Sequence, residues 1–174
     1  VRADWRHGAY FTNRSIWIMC HYLTQVLGGG YRMPVAHLSM RGIVSNTTPH
    51  SAYRGVGRLE INYVLERLIH QASIEMDIDP ITLRRINLLS VDDLPWRTPG
   101  GALITSGAFA DNLSRAVELA GWHEAPARRR AAEAEGRLYG IGLAMYAEND
   151  GSTPTEFAEV AVAGDGQVTA MLGT

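Results

Sequence analysis

From Leu59 to Met76 the apolar residues Ile61, Leu65, Leu68 and Ala72 recur at spacings of 4, 3 and 4. Val64 and Ile69 widen the stripe. Such a run folds as an amphipathic helix and must bury one face. A glycine-containing loop, Ala52-Tyr53-Arg54-Gly55-Val56-Gly57-Arg58, leads straight into it. Directly after it, Asp79-Pro80 starts a second helix, with Asp79 suited to the N-cap and Pro80 to the first helical position. Ile81, Leu83, Ile86 and Leu89 form its apolar face. The rest of the chain has to cover this helix pair.

Residues 1–13 show no clear period. Asn13 or Ser15 can cap a helix through Leu27, with Ile16, Met19, Leu23 and Val26 on one face; Gly28-Gly29-Gly30 ends it. In Val35–Ser45, Val35, His37, Ser39, Arg41 and Ile43 alternate with Ala36, Leu38, Met40, Gly42 and Val44. That alternation predicts a half-buried strand. Residues 92–107 hold two prolines and three glycines and form the best internal boundary. A helix with Leu113, Ala116, Val117 and Ala120 on one stripe follows, stopped by Gly121. Next comes a short polar helix, Pro126–Glu135, carrying Arg128, Arg129 and Arg130. Leu138–Glu148, Glu156–Ala163 and Gln167–Leu172 read as strands, and Gly164-Asp165-Gly166 as a hairpin turn. Helices followed by an antiparallel hairpin region predict an α+β fold.

Composition narrows the function. The 174 residues are 46% hydrophobic with a net charge of -2, which describes an ordered globular chain without the basic excess of a nucleic-acid binder. No apolar run reaches the roughly 18 residues of a membrane span, and no signal peptide opens at Val1, so the expected location is cytoplasmic. The single cysteine, Cys20, excludes an internal disulfide framework and a multi-cysteine zinc site. All 16 basic residues are arginine, so a Schiff-base lysine and a P-loop are excluded. His7, His21, His37, His50, His70 and His123 lack paired metal-ligand spacing. Glu148 and Asp150 read as turn-capping carboxylates. The start at Val1 and the unfinished strand at Thr174 lead to the expectation of a piece of a longer protein.

Ala52–Glu60 is where chemistry concentrates. Glycines let backbone N–H groups approach a ligand, and a following helix N-terminus favours an anion. Arg54 and Arg58 add donors and positive charge. Spacing alone leaves open a plain glycine turn with two solvated arginines.

The longer string carries more. Tyr31-Arg32-Met33-Pro34, Ser45-Asn46-Thr47-Thr48-Pro49 and Ala52–Arg58 precede a helix pair holding Glu66-Arg67, Ala72, Ile78-Asp79-Pro80, Leu83-Arg84-Arg85 and Asn87-Leu88. Farther on stand Arg137–Leu143, Glu148-Asn149-Asp150-Gly151 and Asp165-Gly166-Gln167-Val168-Thr169. In this order and spacing they resemble the large, molybdopterin-binding subunit of the molybdenum hydroxylases: xanthine dehydrogenases, aldehyde oxidoreductases and aerobic carbon monoxide dehydrogenases. The resemblance covers residues 30–174.

It implies a division into residues 1–91 as a first cofactor-binding segment, 92–107 as a linker, and 108–174 as helices opening a second, β-rich segment. It places Ala52, Tyr53, Arg54, Gly55 and Gly57 against the cofactor, with Val56 and Tyr22 facing substrate. Gly55 matches the copper-binding cysteine of true carbon monoxide dehydrogenases, and Tyr22 the position of the purine oxidisers' orienting arginine. Both departures point to an aldehyde or N-heteroaromatic substrate. The family hydroxylates an electron-poor carbon with water as the oxygen source. The implied cofactor is molybdenum on molybdopterin, in the cytosine dinucleotide form. Iron–sulfur (2Fe-2S) and FAD subunits take the electrons, within a dimer of heterotrimers. The family's base, a glutamate, is expected beyond Thr174, so none of these residues is catalytic, none binds the metal directly, and the chain alone is expected to be inactive. A different class of function also fits the loop: a degenerate module that binds a phosphate-bearing ligand at Arg54 without redox chemistry.

Overall fold

The computed structural model describes residues 1–12, 15, 21–148 and 157–172. The chain is α+β. Strand β1 (Arg2–Gly8) pairs in parallel with β2 (Ser39–Val44), from Arg2 opposite Ser39 to Gly8 opposite Val44. Between them lies the α-helical segment α1 (Leu23–Gln25). The long helix α2 (Arg58–Glu75) and the shorter α3 (Pro80–Asn87) form the centre. A two-stranded hairpin, β3 (Trp96–Arg97) with β4 (Leu103–Ile104), precedes α4 (Phe109–Leu119) and α5 (Ala125–Ala134). Strands β5 (Ala158–Val162) and β6 (Val168–Leu172) make an antiparallel hairpin.

Most of these elements follow their sequence signals. Asp79 caps α3 by accepting from the Thr82 N–H at 2.8 Å, with Pro80 at the first helical position. At the expected hairpin turn, the Gly166 N–H donates to the Ala163 carbonyl at 2.9 Å. The Val26–Gly30 turn closes α1, and its Gly29 N–H reaches the Val26 carbonyl at 2.9 Å. Leu23 and Val26 are buried as expected, whereas Ile16 and Met19 lie outside the described residues.

Four readings change. Strand β1 was not anticipated, yet Arg2, Asp4 and Arg6 alternate with Ala3, Trp5 and His7, a period of two that marks it. Strand β2 starts only at Ser39, because β1 offers partners from that point onward. Residues 138–148 form no ladder. Tyr139, Ile141, Leu143, Met145 and Ala147 are nevertheless each more buried than the residues between them. The run is extended, but side chains of α2 and α3 hold it in place of a neighbouring strand. Finally, residues 92–107 carry the β3–β4 hairpin, which is fastened to the α1 region. The Thr98 hydroxyl donates to the Gln25 carbonyl at 2.7 Å. A Cβ on Gly100 would stand 1.6 Å from the Thr24 carbonyl oxygen, so only glycine permits this approach.

Two clusters make the core. Tyr31, Leu65, Ile81, Leu88, Leu113 and Val117 form one; Leu23, Val26, Leu27 and Ile61 form the other. Helix α2 feeds both, through Leu65 and Ile61. Its expected stripe is displaced: Leu68 is 50% exposed and Ile86 on α3 is 60% exposed. Their places inward go to charged residues. Arg84 (1% exposed) donates twice to Glu66 Oε2, at 2.9 and 2.8 Å, and once to the Pro80 carbonyl at 3.0 Å. The Tyr31 hydroxyl donates to Glu66 Oε1. Burial, together with the Glu66 carboxylate, pushes the Tyr31 phenol far above its ordinary value. The Arg32 N–H donates to the Asn87 carbonyl at 2.7 Å. The separated motif residues Tyr31, Glu66, Pro80, Arg84 and Asn87 thus meet in one structural network.

Candidate functional site

The end of β1 positions the glycine loop. The Ala9 N–H donates to the Thr47 carbonyl at 3.0 Å and the His50 N–H to the His7 carbonyl at 2.9 Å. Ser15 Oγ donates to the His50 carbonyl at 2.9 Å. His7 is buried, and this burial, reinforced by His50, lowers its pKa from the ordinary 6.5. The chain leaves this anchor at Ser51 and turns at Arg54–Gly57.

Within that turn the Val56 N–H reaches the Tyr53 carbonyl and the Arg58 N–H the Gly55 carbonyl, both at 3.0 Å. Gly55 (φ 90) and Gly57 (φ 72) are left-handed, which residues with a Cβ rarely adopt. Gly57 is the N-cap of α2 and supplies no side chain to its first-turn amides. Glu60 sits in that first turn, where its charge complements the helix dipole. Tyr53 and Arg54 are exposed, Ala52 and Val56 half-buried, and Gly57 buried. The loop therefore brings together an exposed cation, left-handed glycine backbone and a helix start without a side-chain cap, a combination suited to an anionic ligand.

Arg58 behaves differently from Arg54. It is 7% exposed, and its guanidinium lies over the Tyr22 ring at 4.7 Å. Its Nη1 donates to Glu148 Oε1 at 3.2 Å, while Nε and Nη2 have no partner among the described residues. Tyr22, distant in sequence, is thereby brought to the end of the loop. Glu148 also accepts from the Tyr146 hydroxyl at 3.0 Å. Glu148 thus forms an ion pair with Arg58, because the extended run ends beside the start of α2; the turn it was expected to cap, with Asp150, lies outside the described residues. Asn62 completes the junction: its Nδ2 donates to the Ala147 carbonyl at 3.1 Å and its Oδ1 accepts from the Ala147 N–H at 3.3 Å. Sequence reasoning missed Asn62, Tyr146 and the Arg58–Glu148 pair. The pair bridges 90 positions, and no spacing signal joins them. No group of three or more potential metal ligands occurs among the described residues, and none of their helices is long and apolar enough to cross a membrane.

Residues 1–88 match the model of one protein family, the molybdopterin cofactor-binding domain. The chain belongs to this family. It is 31% identical to the 6-hydroxypseudooxynicotine dehydrogenase complex subunit gamma of Paenarthrobacter nicotinovorans, over 96% of this chain and 22% of that protein. It is 29% identical to the carbon monoxide dehydrogenase large chain of Hydrogenophaga pseudoflava, over 79% of this chain and 18% of that protein. Among solved structures, quinoline 2-oxidoreductase from Pseudomonas putida 86 superimposes with a TM-score of 0.80 at 25% identity, over 97% of this chain and 23% of that one. This molybdopterin-binding chain thus spans about a fifth of the length of the relatives it matches.

Proposed function

We propose that the chain forms part of the catalytic subunit of a molybdenum-dependent hydroxylase acting on an N-heteroaromatic or aldehyde substrate, with water as the oxygen donor. The observation that carries this reading is the loop itself, with left-handed glycines and an uncapped helix start behind an exposed arginine. Those features fit the anionic, oxygen-rich end of a molybdopterin. Ala52, Tyr53, Gly55 and Gly57 would hold it by backbone, and Arg54 by charge. When bound, the cofactor supplies two-electron oxidation of the substrate carbon. Val56 and Tyr22 would face the substrate, Tyr22 being held by its stacking on Arg58. The base is assigned to a glutamate outside these residues.

Gly55 carries no thiol, which argues against copper–molybdenum oxidation of carbon monoxide. The likeness to a quinoline oxidoreductase supports the N-heteroaromatic side of the reading. The remaining proposals follow from the family: the cytosine dinucleotide form of the cofactor, electron transfer to 2Fe-2S and FAD subunits in a dimer of heterotrimers, and a cytoplasmic location. Residues 1–91 and 108–174 would contribute two successive cofactor-binding segments joined through 92–107.

The test uses the purified full-length subunit with its partners. Arg54→Ala is expected to lower activity by about tenfold or more, as expected for a lost charge-assisted hydrogen bond. Arg129→Ala, on the exposed face of α5, is expected to leave it within a factor of about two. Equal effects would refute the placement of the loop. Absence of molybdenum by elemental analysis would refute the enzyme reading and favour a phosphate-binding module.

A further inference from the structure

The covering of Gly55 is unexplained by the loop alone. A Cβ built on Gly55 would meet Leu59 Cδ1 and Cγ at 3.3 Å and the Tyr146 hydroxyl at 3.4 Å. The bare Cα is therefore flanked by one side chain from α2 and one from the extended run, 91 positions away in sequence (146 less 55). Tyr146 and Leu59 also line a cavity of about 570 Å³, with Tyr63, Trp122, Ile141 and Leu143 among its apolar walls. That volume is within the range that accommodates a small aromatic ligand.

Tyr146 is fixed in this place. Its hydroxyl donates to Glu148, whose other oxygen is bound by the buried Arg58. Asn62 pins the adjacent Ala147 from both sides of its peptide. Burial and the Glu148 carboxylate raise the phenol's pKa, so it stays protonated and keeps donating at neutral pH. Tyr146 nonetheless remains 47% exposed, so the ring is held rather than sealed.

We propose that Tyr146 is a specificity-determining side chain of the loop site, limiting the size of aromatic ring that can lie against Gly55. This rests on the reading of Ala52–Gly57 as the cofactor and substrate loop. Removing the phenol would join the space beside Gly55 to the cavity and admit a larger ring.

The experiment is equilibrium dialysis of pyridine, quinoline and acridine against the cofactor-loaded full-length subunit and its Tyr146→Phe and Tyr146→Ala variants. Tyr146→Leu, which keeps an apolar stem, replaces Tyr146→Ala should that variant fail to fold. The ratio of acridine to quinoline dissociation constants is expected to fall about tenfold or more in Tyr146→Ala and by less in Tyr146→Phe, which keeps the ring but loses the hydroxyl nearest Gly55 and its bond to Glu148. The same ratio in every variant, or no binding of any ring to any of them, overturns the proposal. Turnover is read separately on the same samples. A shifted ratio without turnover of the N-heterocycles overturns the N-heteroaromatic reading and leaves Tyr146 its role. Turnover with a constant ratio overturns the role of Tyr146 alone.

Discussion

Glu66 and Arg84 are 5% and 1% exposed, and each leaves the other as an uncompensated buried charge if removed. Breaking such a pair typically costs about 3–5 kcal/mol. Glu66→Gln in the full-length subunit is therefore expected to lower the thermal midpoint by several degrees, as followed by calorimetry. Tyr31 adds an alkaline dependence. Its pKa is raised above the ordinary 10.0 in the folded state, chiefly by burial. The folded chain thus holds this proton where the unfolded chain releases it. The stabilisation is complete below pH 10 and is lost as pH climbs through the raised folded value. Tyr31→Phe should flatten the alkaline limb of the stability–pH curve; an unchanged limb would show that other groups set it. These residues were legible as motif letters, but their burial was not. Period alone assigned the inward positions to Leu68 and Ile86, and the network of Tyr31, Glu66 and Arg84 displaced them.

At the scale of elements, the run from Leu138 to Glu148 shows what alternation can and cannot say. The period of two is present in burial, so the extended conformation was readable. The ladder was not, since a strand exists only where another backbone pairs with it. Here the Asn62 carboxamide takes the place of a neighbouring strand, with one donor and one acceptor toward Ala147. Asn62→Leu removes both bonds and should speed amide exchange at Ala147 and its neighbours at least about tenfold, measured by hydrogen–deuterium exchange on the full-length subunit. Exchange confined to its original rate would mean that Arg58–Glu148 holds the run by itself. The converse lesson comes from β1, whose alternating Arg2, Asp4 and Arg6 carried a strand signal in a stretch without an evident period.

For the whole molecule, the β5–β6 hairpin is exposed on both faces. Phe157, Val160, Val162, Val168 and Leu172 are each at least 60% exposed. Apolar surface of this extent marks a place that other protein covers. The chain expressed alone should bind a hydrophobic reporter dye and sediment as larger species with rising concentration. In the longer subunit, residues 158–172 should show slow amide exchange. Fast exchange there would mean that the hairpin stays uncovered.

By itself the sequence determined the helix pair, its Asp79-Pro80 start, the Gly164–Gly166 turn and the glycine loop, because each is a local matter of period, capping or φ. Its motif order also pointed to the family. Only the tertiary structure decided that Arg58 is buried on Tyr22 and paired with Glu148, and that Tyr146 stands over Gly55. Those contacts join residues tens of positions apart, so nothing local encodes them. They follow from how α2 and the extended run pack, which fixes the charge and space around the loop.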